Sequence, residues 1–175
     1  MRIRAPWVYA AGGTLLTLIC VEALGFRINT TNSMPVGIWK VSPLVGELRR
    51  GEVVTVCLPD SPEARLAAER GYVPAGSCHD GREPIVKPIA ALAGDMVCVT
   101  PVGITVNGID VAGTAQLERD TGGRPLRPVP AGDYRVPAGQ VWLLAGRARN
   151  SYDSRYFAGV PVASVQSVAR PVWVW

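Results

Sequence analysis

At 175 residues the chain has room for one folded domain and not comfortably for two. Its net charge of +4 is modest, and the basic residues are scattered, so the composition does not point to a nucleic-acid surface. One histidine and no Cys-x-x-Cys argue against the usual zinc sites, and no cofactor or metal is expected.

The first feature along the chain is apolar. Trp7 to Phe26 is a 20-residue stretch whose one charged residue, Glu22, lies near its end. As a helix it would extend roughly 30 Å, the thickness of a bilayer's hydrocarbon core. Arg2 and Arg4 precede it and Arg27 follows, which favours the N-terminus inside and the rest outside. A cleaved leader would need a small-residue site, and Glu22-Ala23-Leu24-Gly25 matches one poorly. A lipoprotein would need a small residue before Cys20, where Ile19 stands. The expected organisation is a cytoplasmic tip and transmembrane anchor over 1–26 and a soluble domain over 27–175.

The soluble part reads as mainly β. Glu52 to Leu58 is a strand run closed by Pro59. Ser61 can cap a helix over Pro62 to Arg70, Pro62 suits its first position, and Gly71 can stop it. Met96 to Thr100 is a strand candidate, and Ile104 to Val111 is a hairpin around Asn107-Gly108. Residues 112–132 carry Gly, Pro and charge without periodicity and read as a surface excursion. Gln140 to Leu144 and Pro171 to Trp175 are further strands. Of the cysteines outside the apolar run, Cys57, Cys78 and Cys98, an oxidising compartment would pair two and leave one thiol.

Two residues suggest chemistry. Ser33 follows the apolar run in Thr31-Asn32-Ser33-Met34-Pro35-Val36-Gly37, and Lys87 lies in Ile85-Val86-Lys87-Pro88-Ile89-Ala90. A serine hydroxyl needs a base. His79, beside Cys78 in a Gly/Pro-rich loop, is a poor candidate. A lysine serves if its amine is neutral, and apolar neighbours lower its pKa. The plainer readings are a turn after a membrane helix and a strand-edge lysine with its head in water.

Three segments taken together carry a resemblance. Thr31 to Pro35 resembles the nucleophile box of the type I signal peptidases, Val86-Lys87 through Gly94-Asp95 their lysine box, and Asn150-Ser151-Tyr152-Asp153-Ser154-Arg155 their C-terminal Ser-x-Asp-Ser-Arg box. Arg27 to Thr31, Pro35-Val36-Gly37, Glu69-Arg70-Gly71-Tyr72 and Tyr156-Phe157 are similar to the conjugative-transfer subgroup of the TraF type. The resemblance implies a mainly β, signal-peptidase/LexA-like domain behind one N-terminal transmembrane helix. It implies Ser33 as nucleophile, Lys87 as general base, Thr31 as an oxyanion donor and Ser151 as the residue that orients the lysine amine. It implies Asp153 and Arg155 as a structural pair, with Asp153 also a candidate for joining the new carboxyl end of a pilin to that pilin's own N-terminus.

It further implies an inner-membrane enzyme facing the periplasm and acting on a propilin or exported preprotein beside a mating-pair apparatus, with no nucleic-acid partner. A general leader peptidase and a non-catalytic anchored scaffold are the alternatives. A LexA-type self-cleaving repressor shares the Ser/Lys fold, but the chain lacks a DNA-binding helical domain. For the disulfide, Cys57 ends a strand, the predicted helix returns the chain, and TraF-type chains carry cysteine near both positions, so Cys57–Cys78 is expected. The chain departs from the general family where Pro35 follows Met34 directly, where Gly146-Arg147-Ala148-Arg149 replaces Gly-Asp-Asn-Arg, and where Ala158 stands in place of Gly-Pro.

Overall fold

The computed structural model describes residues 23–175. The expected anchor therefore lies, up to Glu22, outside the described residues, and among those described no helix is long and apolar enough to cross a membrane. Phe26, the last residue of that expected stretch, is instead the first of a strand. It pairs with Lys40, whose ammonium sits 4.7 Å from the Phe26 ring centroid, and Gly25 O accepts from Val41 N at 2.8 Å.

Antiparallel strands dominate. β1 (Phe26–Asn29), β2 (Gly37–Pro43), β3 (Val53–Val56), β4 (Ile85–Ala91), β9 (Gln140–Leu143), β10 (Val160–Pro161) and β11 (Val165–Val174) form a seven-stranded sheet in the order β1-β2-β11-β3-β4-β9-β10. A second sheet runs β7-β6-β5-β8, from β5 (Met96–Thr100), β6 (Gly103–Val106), β7 (Ile109–Val111) and β8 (Gly132–Arg135). Alternation along β5 buries Val97 and Val99, which pack with Ile104, Val106, Trp142 and Leu144 into one core. The other core lies under α1 (Pro62–Glu69), where Ala64 and Ala67 meet Val54, Val56, Ile89 and Leu143.

Local signals explain these elements. Ser61 accepts from Ala64 N at 3.1 Å, and Gly71 ends the helix at φ 72°. Asn107 and Gly108, at φ 51° and 80°, turn the β6–β7 hairpin as its sequence requires. Cys57 and Cys78 are disulfide-bonded, and Cys98 on β5 is the free thiol among the described residues. Of the 112–132 segment, residues 112–131 form no regular strand or helix and Gly132 opens β8, but the segment is not merely superficial. Thr114 and Val129 are buried, and Val129 N donates to Arg155 O at 2.8 Å.

Asp95 fastens the two sheets together. It is buried at the turn between β4 and β5 and accepts from Arg50, from Leu92 N at 2.8 Å and from Asn107 Nδ2 at 2.8 Å. The Arg50 hydrogen bond, with help from these other donors, holds its carboxyl well below the usual carboxylate range. Asp95→Ala leaves Leu92 N and Asn107 without an acceptor and is expected to lower folding stability by about 2 kcal/mol in urea melts at pH 7. A carboxyl with a lowered folded-state pKa contributes above its unfolded value and loses that contribution as pH falls. The gap between wild type and variant should therefore close only at strongly acid pH.

Candidate active site

Ser33 sits on the connection between β1 and β2, whose last ladder pair is Asn29↔Gly37. Three features hold this connection. Met34 is buried against Trp39 and Ala169, a plug that fixes the residue next to the serine. Trp39 Nε1 donates to Pro35 O at 3.0 Å. The Asn29 side chain donates to the carbonyls of Thr31, Met34 and Pro35 at 3.0–3.1 Å and accepts from Thr31 N and Thr31 Oγ1. Gly37 stands at φ 154°, and a Cβ there would lie 2.1 Å from Trp173 O, so only glycine lets β11 approach. Thr31 Oγ1 lies 3.3 Å from Ser33 Oγ, while its own proton goes to Asn29 Oδ1 at 2.7 Å. In this resting geometry Thr31 is not presenting its proton to an oxyanion.

Lys87 sits on β4, opposite Val54 of β3. It is not at a sheet edge, since β3 and β9 flank its strand. Only 7% of the residue is exposed. Burial pushes its pKa down to about 8; nearby Asp153 raises it and Arg155 lowers it, both by less. Pro88 next to it would argue against a central strand. It is accommodated just before a register shift toward β9, between Ile89 and Ala91.

The third segment closes the floor. Asp153 caps the short helix α2 (Ser154–Phe157) and accepts from Ala145 N, Arg155 N and the Arg155 guanidinium, the ion pair measuring 2.8 Å. Arg155 also donates to the carbonyls of Gly113, Ala115, Ala148, Arg149 and Ser151. Both side chains are 0% exposed, in contrast to a surface ion pair. The Asp153 carboxylate, which accepts from Arg155 and from two backbone amides, does not line the cleft. Ala158 takes φ 58° at the end of α2, the conformation a glycine would adopt without strain.

Ser33, Thr31, Lys87 and Ser151 all line one open cleft of about 980 Å³. Ser151 Oγ is buried there with no hydrogen-bond partner. Asp153 and Arg155 lie behind its wall. The cleft's far side is built by residues 72–77, which follow α1 and are tied back through the Cys57–Cys78 disulfide. His79 is exposed and does not line the cleft. The described residues hold no cluster arranged to bind a metal ion. The sequence reading assigned Asn29 no role of its own. The available signal was an asparagine at a strand end, two residues before a threonine whose amide it can cap.

A family model described as "Signal peptidase, peptidase S26" matches residues 5–175. A plasmid transfer protein TraF of Escherichia coli is 34% identical over 99% of this chain and 97% of its own length. A probable conjugal transfer protein TraF of Sinorhizobium fredii is 38% identical over 85% of this chain and 77% of its own. A signal peptidase I from Enterococcus faecalis superposes at a TM-score of 0.40 and 19% identity, covering 71% of this chain and 98% of that one, too loosely to add to the assignment. From the family model and the near full-length relatives it follows that the chain belongs to the signal peptidase family, peptidase S26.

Proposed function

We propose that the protein is a serine endopeptidase of conjugation that cuts a pilin precursor at the outer face of the inner membrane. The observation that carries this reading is a nearly buried lysine, its pKa lowered by that burial, sharing a cleft with Ser33. A scaffold has no use for an amine held in that state, which costs stability. The names of the relatives, plasmid and conjugal transfer proteins, favour conjugation over general secretion.

In the proposed reaction neutral Lys87 takes the Ser33 proton as Oγ attacks the scissile carbonyl. The oxyanion is met by the Ser33 amide and by a rotated Thr31 hydroxyl. The Lys87 ammonium then protonates the leaving amine, and the acyl-enzyme passes to water or to another amine. Ser151, with its free buried hydroxyl, is assigned to orient the Lys87 amine.

An apolar rim supports the membrane setting. Ile28 of β1, Ile38 of β2 and Trp173 of β11 share one row across the sheet, and Ile28 and Trp173 are 70% and 68% exposed. Trp175, 69% exposed, donates its amide to Val36 O within the Ser33 connection. Tryptophan in such a rim suits a bilayer interface. The apolar Trp7–Phe26 stretch leads directly into β1, so the proposed anchor, rim and nucleophile share one end of the domain, with the N-terminus in the cytoplasm.

Ser33→Ala, Lys87→Ala and Lys87→Arg should each abolish precursor processing in a mass-spectrometric assay, because a guanidinium stays protonated. Full processing by any of the three would overturn the dyad.

Activity should rise with pH through one ionisation near 8, as Lys87 becomes neutral. Stability follows the same group. Below about 8 both folded and unfolded states carry the proton, and the folded state bears the whole cost of burying it. Between about 8 and 10.5 the folded amine is neutral while the unfolded one is charged, so the cost fades. Lys87→Met should therefore be inactive yet more stable at pH 7 by about 3 kcal/mol, a gain that vanishes above about pH 10.5.

The double variant Trp173→Ser/Trp175→Ser should cleave a soluble peptide at the wild-type rate and a bilayer-inserted precursor about tenfold more slowly, the size of effect given by losing a little over 1 kcal/mol of interfacial contact. Equal rates on both substrates would remove the membrane role of this rim.

A further inference from the structure

The Asn29 amide occupies an unusual place in the Ser33 connection. Its Nδ2 lies within hydrogen-bond distance of three carbonyls, Thr31 O at 3.0 Å, Met34 O at 3.1 Å and Pro35 O at 3.0 Å. Two hydrogens serve three acceptors, so the amide acts as a shared clasp. Its Oδ1 accepts from Thr31 N at 3.2 Å and from the Thr31 hydroxyl at 2.7 Å. These partners settle which end is oxygen, since the flipped amide would set a carbonyl against three carbonyls. One side chain therefore ties the end of β1 to residues on both sides of Ser33.

The Thr31 contact decides proton placement. A threonine hydroxyl has one proton, and here Asn29 Oδ1 takes it. In the 3.3 Å contact between Thr31 Oγ1 and Ser33 Oγ, Thr31 can then only accept. The resting Ser33 proton is directed to Thr31. For Thr31 to stabilise an oxyanion its proton must leave Asn29 Oδ1, which keeps the Thr31 amide as its remaining donor.

We propose that Asn29 is a positioning residue of the peptidase: it clasps the Ser33 connection and stores the Thr31 proton until the tetrahedral intermediate claims it. This deepens the peptidase reading and rests on it. Asn29 acts through Thr31 and the backbone around Ser33 and touches no reacting atom. Removing it should lower turnover more than substrate affinity, because the affected groups engage the transition state more strongly than the ground state.

The test uses the full-length protein in detergent micelles with a pilin-type precursor and the variants Asn29→Ala, Asn29→Asp, Thr31→Val, Asn29→Ala/Thr31→Val and Ser33→Ala. Asn29→Asp keeps the acceptor for Thr31 but turns the clasp against three carbonyls. Both Asn29 variants should lose kcat by about tenfold or more with KM within about twofold, the scale of one misplaced oxyanion donor. In Asn29→Ala the ionisation near pH 8 should stay in place, since no charge is added to the cleft that Lys87 lines. The double variant should lose less than the product of the two single losses. Hydrogen exchange should speed up for the Thr31 amide in Asn29→Ala with the strand amides of β4 unchanged, a readout that does not need catalysis. Unchanged kcat and unchanged Thr31 exchange would overturn the role of Asn29. So would fully multiplicative losses or a loss confined to KM. Wild-type turnover in Ser33→Ala would instead overturn the peptidase reading itself.

Discussion

Everything at the site depends on the buried pairing of Asp153 with Arg155. An isolated carboxylate this close to Lys87 would stabilise the ammonium form and leave the lysine unable to accept a proton. With the guanidinium locked onto it, the two charges act on Lys87 in opposite directions, and desolvation is the larger effect. Burying such a pair costs several kcal/mol per ion unless other polar groups complete the shell. Here the shell is complete on both sides. Arg155 reaches five backbone carbonyls, and Asp153 takes two backbone amides.

That shell also accounts for part of the irregular 112–131 stretch. Gly113 O and Ala115 O are acceptors for Arg155, and Gln116 Nε2 donates to Val129 O at 2.7 Å. The excursion supplies backbone oxygen to an ion that would otherwise be short of partners.

Much of this was legible in residue order, for particular reasons. The β6–β7 hairpin was readable because Asn107-Gly108 has few alternative conformations, and α1 because Ser61, Pro62 and Gly71 punctuate it locally. β4 was harder, since Pro88 sits inside it and its strand character depends on β3 and β9 being present on either side. The burial of Asp153 was not legible, because a polar Ser-Tyr-Asp-Ser-Arg run looks the same whether water or five carbonyls surround it. Nor was the Asn29 clasp, which exists only once β1 and β2 pair and the connection folds back over the asparagine.

The place of β11 has a consequence for the timing of the chain's assembly. Residues 165–174 come last among the strands, yet they lie between β2 and β3 in the middle of the sheet. The serine-bearing connection is joined to β2, the lysine is on β4, and β11 is the piece that brings those halves into one surface. Its backbone at Trp173 also seats against Gly37. A chain emerging from its N-terminal end would hold both reactive residues long before they could meet. In the proposed mechanism, cutting would therefore have to wait until the last strand has been inserted.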